Sequence, residues 1–309
     1  MTSERDLALL PRWRGQRGRL EVHYLTATDA ATGTGLWLHH EVVAPTTGEP
    51  YGHGWIATFP PRAEPICERF GPAPVKPLDD GTIFRTSDAV MSSTTARGRA
   101  GAVEWDLRWD GMSPPLWTFP RWVWQRKVLP AAQVVPFPAA RLTGTVGNAM
   151  YDAAVGVAHI DGHGNAQRWI WLHAPLGGDD VLEIVAATAR RPGLRTLPPL
   201  ALVQLRVARS DWPPDSLAAA PLFRTRIDDH SFRVRGIVGR RRLTVDVALP
   251  EQRCVRLGYT DPDGATATCT NTERADARIA VDRFSSSGWR QERWWSLDAT
   301  AHAEIGTRP

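Results

Sequence analysis

Residues 156–173 hold the densest grouping of ionisable and aromatic side chains in the sequence: His159, Asp161, His163 and Asn165, then Trp169, Trp171 and His173. Hydration or cyclisation of an alkene starts when an acid in a dry pocket delivers a proton to carbon. Asp161, His159 and His163 are the candidates for that acid, if burial and partners adjust the pKa. Trp169, Trp171, His173 and Asn165 would hold the substrate, with indole faces stabilising positive charge as it develops. Trp105 and Trp124 are candidates for the same wall. A pericyclic cyclase asks for less, namely a pocket that keeps a polyene folded and one hydrogen-bond donor. The same residues also have a plain structural reading, since Asp, Gly, Asn and His suit turns and Trp pairs fill barrel cores. Glu41 and Glu304 are further acids that a pure carrier would not need in a pocket. The Trp294, His302 and Glu304 end of the chain is the next place to look for a site.

Other chemistries lack their motifs. His159, His163 and His173 could be drawn as a zinc set, but Gly162 and Gly164 remove the helix that would align them, and no metal is expected. No GxGxxG opens a strand–helix unit and no Gly-rich loop precedes Lys-Ser/Thr, so no nucleotide or flavin cofactor is expected. Gly-x-Ser-x-Gly is absent as well, which removes the serine hydrolase reading. Arg233, Arg235, Arg240, Arg241 and Arg242 crowd one segment around Gly236 and Gly239. This is a basic hairpin that can be solvated, meet an anionic group on a ligand, or bind nucleic acid; no nucleic-acid motif accompanies it.

These residues need strands to position them. Trp169, Trp171 and His173 are spaced by two and share one face of an extended strand, while Ile170, Leu172 and Ala174 take the other. Asp161 to Asn165 reads as the turn before it. Val103, Trp105, Leu107 and Trp109 alternate with Glu104, Asp106, Arg108 and Asp110, a half-buried strand. Leu20, Val22 and Tyr24 alternate with Glu21 and His23 in another. Residues 112–138 are broken by prolines and read as an irregular connection whose Trp117, Trp122 and Trp124 cover a barrel mouth. Residues 180–190 read as strand, Leu243 to Leu249 alternate, and Asp261-Pro262-Asp263-Gly264 is a tight turn. The expected fold is all-β, two antiparallel barrels in series. The Pro-rich passage from Arg191 to Pro221 marks the boundary, giving an N-terminal barrel over 1–195 and a C-terminal barrel over 196–309.

Composition agrees with a globular protein, 42% hydrophobic and 23% charged over 309 residues. Fourteen Trp suit large apolar or cationic partners. No apolar run reaches the ~18 residues of a membrane span, and no secretory signal is visible. Cys67, Cys254 and Cys269 lack CxxC spacing and read as free thiols, with a Cys254–Cys269 bridge as the alternative; the expected compartment is the cytoplasm.

Trp105-Asp106-Leu107, the Pro-rich link, Gly144-Thr145-Val146, Tyr151, the stretch from Gly156 to Trp171, and Ala301-His302-Ala303-Glu304-Ile305-Gly306 together resemble a two-domain lipocalin-like superfamily. It contains carotenoid 1,2-hydratases, tocopherol cyclases, AttH-like proteins and lipocalin-like Diels–Alderases. The resemblance spans about residues 19 to 306. Where relatives read Tyr-His-Asp-His-Asn-Trp-Gly, this chain has Ala158, His159, Ile160, Asp161, Gly162, His163 and Gly164, keeping the first His and the Gly but not the acid pair. The resemblance implies two lipocalin-like barrels and a cofactor-independent cyclase, isomerase or hydratase of secondary metabolism. Its substrate would be a hydrophobic isoprenoid or polyketide polyene. The alternative is a protein that binds a small hydrophobe without chemistry.

Overall fold

The structure is a computed structural model and describes residues 3–162, 164, 166–191, 193 and 197–309. The chain forms two compact units. Unit 1 takes Met1–Trp117, Arg121–Gly164 and Tyr259–Thr266; unit 2 takes Thr118–Pro120, Asn165–Gly258 and Ala267–Pro309. Strand accounts for 63% and helix for 7%; some strands, such as that over Val103–Asp110, alternate in burial, while others, such as that over Gly35–Ala44, are buried almost continuously.

Unit 1 opens with a short helix, α1 (Glu4–Leu9), whose Ser3 and Asp6 form a reciprocal capping box. Then come β1 (Arg19–Asp29), β2 (Gly35–Ala44), β3 (Tyr51–Phe59), β4 (Ile66–Pro74), β5 (Phe84–Arg85) and β6 (Ala89–Met91). β7 (Thr95–Ala100), β8 (Val103–Asp110), α2 (Arg121–Arg126), β9 (Ala131–Val146) and β10 (Ala149–Gly162) complete it. The sheet order is β4-β3-β2-β1-β10-β9-β8-β7-β6-β5, and its curl brings β4 against β7. Leu25, Leu38, Ile56, Leu107, Trp109 and Val157 fill the inside.

β8 has the expected alternation, with Trp105, Leu107 and Trp109 buried and the charged residues between them exposed. β1 departs from its reading. Leu25 and Ala27 are in the core, so Glu21 and His23, at the same parity, are on the core face. Residues 112–138 are more regular than their prolines suggested, because α2 lies within them and β9 runs through Pro136 and Pro138. The β9–β10 register breaks between Val155 and Val157 and again between Val157 and His159. Such irregularities are where a strand tolerates proline, which has no N–H for the ladder.

Unit 2 contains β11 (Ala166–Gly177), β12 (Asp180–Ala189), β13 (Leu200–Val207), β14 (Ser210–Trp212), α3 (Ser216–Ala219), β15 (Phe223–Ile227) and β16 (Ser231–Val238). β17 (Arg241–Ala248), β18 (Val255–Thr260), β19 (Thr266–Ser285) and β20 (Gly288–Thr307) follow, with Tyr259, Thr260 and Thr266 counted in unit 1. The order is β14-β13-β12-β11-β20-β19-β17-β16-β15, with β18 on β19, and β13 comes against β15. Ile170, Leu172, Ile184, Val203, Val245 and Ile279 are in its core.

The units part at Gly164/Asn165 rather than at the expected 195/196. β10 pairs with β1 and β9, whereas β11 pairs with β12 and β20, so the switch of sheet falls between them. The Pro-rich passage is instead internal to unit 2: it joins β12 to β13 and carries β14 and α3, and its Pro192, Leu194, Arg195 and Thr196 lie outside the described residues. All three cysteines are free. No helix among the described residues is long and apolar enough to cross a membrane.

Candidate functional site

The residues singled out in the sequence fall in both units. His159 and Asp161 are on β10 in unit 1; Trp169, Trp171 and His173 are on β11 in unit 2; His163 and Asn165 lie outside the described residues.

In unit 1 the buried His159 ring has both nitrogens engaged: Nδ1 donates to the Ala8 carbonyl at 2.7 Å and Nε2 meets Glu21 Oε1 at 2.8 Å. Glu21 also accepts the backbone N–H groups of Arg12 and Trp13. Burial pushes the Glu21 carboxyl up, but the hydrogen bond and charge of His159 outweigh it and hold it at about 2. His23 stacks on His159 with ring centroids 3.9 Å apart and donates from Nε2 to the Leu9 carbonyl at 3.0 Å. Burial, then the neighbouring His159, keeps His23 well below the usual imidazole range.

Glu21, His23 and His159 are the one three-residue group, among the described residues, close enough to suggest a metal. Their geometry does not fit one. Ring nitrogens of both histidines are already engaged, His23 Nε2 on the Leu9 carbonyl and His159 on the Ala8 carbonyl and Glu21. The group reads as a hydrogen-bonded anchor for the segment around α1.

Asp161 belongs to the same anchor. Its carboxylate meets Arg12 Nε at 3.2 Å, Arg19 Nη2 at 2.6 Å and Lys127 Nζ at 3.6 Å. With its oxygens taken up by three cations, it is not aimed at a ligand. Trp124 caps His159 edge-on at 4.8 Å and donates to the Leu7 carbonyl at 3.2 Å. Trp105 packs on Phe70 inside the unit 1 core, against Gly98, where a Cβ would overlap the indole.

Unit 2 assembles a different array. Trp169, Trp171 and His173 share the face of β11 opposite its core residues, as their spacing requires. Across the β11–β12 ladder His173 pairs with Glu183, and across β11–β20 it pairs with His302. Glu183 is fully buried; it accepts Trp171 Nε1 at 2.7 Å and meets His173 Nδ1 at 2.8 Å. Trp171, His173 and His302 form a ladder of near-parallel rings, 6.5 Å and then 5.6 Å apart. Trp169 donates to Glu304 at 2.5 Å. It lies over Gly306, its β20 partner, where a Cβ would overlap the indole.

The decisive group is Glu273. The β19–β20 register shifts between Thr272 and Ala275, so Glu273 sits at an irregularity of the kind that re-aims side chains. Its Oε2 lies 3.5 Å from His302 Nδ1. Burial, then the charge of Glu304, raises its carboxyl well above the ordinary range. Burial, then His173, lowers His302 well below its own. Burial thus shifts the Glu273 carboxyl and the adjacent His302 imidazole both toward their uncharged forms, on a sheet face that also carries two indoles.

Comparison with known proteins places the chain. No family model matches it. It is 48% identical over 306 residues to Uncharacterized protein Rv0493c of Mycobacterium tuberculosis (strain ATCC 25618 / H37Rv), covering 97% of this chain and 90% of that protein. Uncharacterized protein MT0513 of strain CDC 1551 matches to the same extent. The chain belongs to the family of these mycobacterial proteins. Among solved structures, CghA bound to Sch210972 has a TM-score of 0.58 at 12% identity, covering 94% of this chain and 88% of its own. Kievitone hydratase from Nectria haematococca has 0.55 at 10% identity, covering 100% and 92%. The AttH-like protein NE1406 of Nitrosomonas europaea has 0.52 at 12% identity, covering 94% and 92%. The fold of this family member is shared with these three structures.

Within that fold, reading the sequence identified Trp169, Trp171 and His173 as a wall and named Glu304 and His302, but missed Glu183 and Glu273. Glu183 had a signal, a lone acid inside the apolar run from Val181 to Val185. Glu273 had none, since it sits between Thr272 and Arg274 in a polar stretch. Trp294 is more than half exposed and lies on the outer face of unit 2.

Proposed function

We propose that the chain is a cofactor-independent enzyme of the hydratase or cyclase type, acting on a hydrophobic, conjugated isoprenoid or polyketide, with Glu273 as its proton donor. The observation that carries this is the fully buried carboxyl of Glu273 3.5 Å from the buried His302 ring, where burial favours the protonated acid. Protonation of carbon needs an acid that keeps its proton at neutral pH, and desolvation is how a protein makes one. His302 is placed to take part in returning the proton. Glu183 fixes His173 and Trp171 through two short hydrogen bonds, which holds the aromatic ladder rigid. The indoles of Trp169 and Trp171 suit a cationic intermediate. The superfamily fold supports this reading, and kievitone hydratase is named for one of the two reaction types. The cytoplasm fits the three free thiols.

The test is Glu273→Gln, assayed on candidate polyenes in D2O with mass-spectrometric detection of deuterium at carbon. The wild type should give product with solvent-derived deuterium, and the variant should bind substrate while losing at least ~10²-fold in turnover, the usual worth of a general acid. Equal turnover by the variant overturns the assignment. Ligand binding by tryptophan quenching, with no product from any polyene, would indicate a binding protein instead.

A further inference from the structure

The arginine-rich segment is not used by the proposed reaction, and its placement in unit 2 has a consequence. Phe223, Phe232, Val234, Leu243, Val245, Ala277 and Ile279 fill the core of the unit, so residues of the opposite parity on β15, β16, β17 and β19 face outward. Those include Arg224 and Arg226 on β15, Arg233 and Arg235 on β16, Arg242 on β17 and Arg278 on β19. Asp246, Asp276 and Asp282 are the acids among them. Six arginines against three aspartates leave an excess of three on this face, most of the formal net charge of +4 for the whole chain.

The register makes the concentration costly. Arg224 stands directly opposite Arg235, and Arg226 opposite Arg233. Like charges directly across a ladder are destabilising. Arg233 is offset by Asp246 and Arg242 by Asp282, but Arg235 and Arg278 have no ion-pair partner among the described residues. Large apolar side chains are exposed on the same face: Ile237 next along β16, Trp294 opposite Ala280, and Phe284 paired with Trp289, whose ring lies 4.8 Å from the Arg242 guanidinium carbon.

We infer that this outer face of unit 2 docks on an anionic lipid surface, with the arginines over phosphate headgroups and Trp294, Ile237 and Phe284 entering the interface. Basic residues near an anionic leaflet are attracted to it, and Trp with other apolar side chains anchors at the headgroup level. Bare electrostatic attraction would explain the arginines alone; the exposed apolar residues on the same face favour lipid over nucleic acid. The inference deepens the proposed function, because a hydrophobic polyene is dissolved in membranes rather than in water, but docking does not require that reading to hold.

The experiment is co-sedimentation of the full chain with vesicles of phosphatidylcholine alone and of phosphatidylcholine with 30% phosphatidylglycerol as salt is raised. The protein should sediment with the anionic vesicles at low salt, weakly with the neutral ones, and less as salt increases. The double variant Arg235→Glu/Arg278→Glu, folded by circular dichroism, should bind at least about 10-fold more weakly. Trp294→Ser should weaken binding and remove part of the blue shift in tryptophan emission seen with anionic vesicles. Glu273→Gln should bind vesicles as the wild type does, which separates failure of docking from failure of the catalytic reading. Absence of binding to anionic vesicles, equal binding to neutral ones, or unchanged binding by the charge-reversed variant overturns the inference. Tighter binding to a duplex oligonucleotide than to the vesicles also overturns it.

Discussion

Glu21 and Glu273 are both buried carboxyls shifted in opposite directions, and the difference lies in what they touch. Burial pushes Glu21 up, but His159, then His23 and the Arg12 N–H, hold it at about 2. Glu273 has burial and the nearby Glu304, which hold it well above the ordinary value. The signs of the resulting pH dependence are therefore opposite. Glu21 contributes stability that is full above its unfolded value of 4.5 and lost as pH falls through about 2. In urea unfolding, the deficit of Glu21→Gln relative to the wild type should shrink as pH drops from 4.5 toward 2. Glu273 costs stability as pH rises above 4.5, so Glu273→Gln should gain on the wild type between pH 4 and pH 8. If both differences stay flat across these ranges, the two groups are not in the states assigned. Gly306 gives a third test at this scale. Gly306→Ala drives a methyl into the Trp169 ring, and should shift tryptophan emission and cost about 1–3 kcal/mol, as overpacking does. That Trp169, Trp171 and His173 share a face was legible from spacing, because alternation alone fixes it. The surroundings of Glu273 were not, since its partners are brought together by distant strands.

At the level of elements, residues 3–13 act as one anchored segment. The Leu7, Ala8 and Leu9 carbonyls accept from Trp124, His159 and His23, and the Arg12 and Trp13 N–H groups end on Glu21. Leu9 reaches into the unit 1 core. Leu9→Ala should therefore cost about 2–5 kcal/mol in urea unfolding, the range for a buried leucine. No loss would show that the segment is decoration on a barrel stable without it. His159 and Asp161 were read as catalytic because polar residues in a Gly-rich stretch look alike whether they serve a ligand or a neighbouring segment. β8 was legible from its alternation, whereas β12 was read as strand from its neighbours, since Val181, Ile184 and Val185 fit a helix as well. The boundary was not: proline marks breaks in a strand, while the pairing of β11 with β20 is a long-range choice that no local pattern records.

Over the whole molecule the three thiols report on integrity. Burial pushes Cys67 to about 11 and Cys254 to about 12, and Cys269 goes well above the ordinary thiol value. Thiolate is the reactive form, so a disulfide reagent at pH 8 should modify the native protein slowly and all three cysteines promptly in denaturant. Rapid modification of all three in the native protein would contradict the packing. A reductant should leave the unfolding midpoint unchanged, since no disulfide exists to break. The pairing of β11 with β20 also bears on synthesis. During translation β11 to β19 leave the ribosome before the strand that carries His302 and Glu304 and completes the ladder on Arg168–His173. A nascent chain interrupted before β20 would expose Trp169 and Trp171 with no β20 beside them, a surface that chaperones and proteases recognise. The face carrying Trp169 and Trp171 is thus completed only when the last strand arrives.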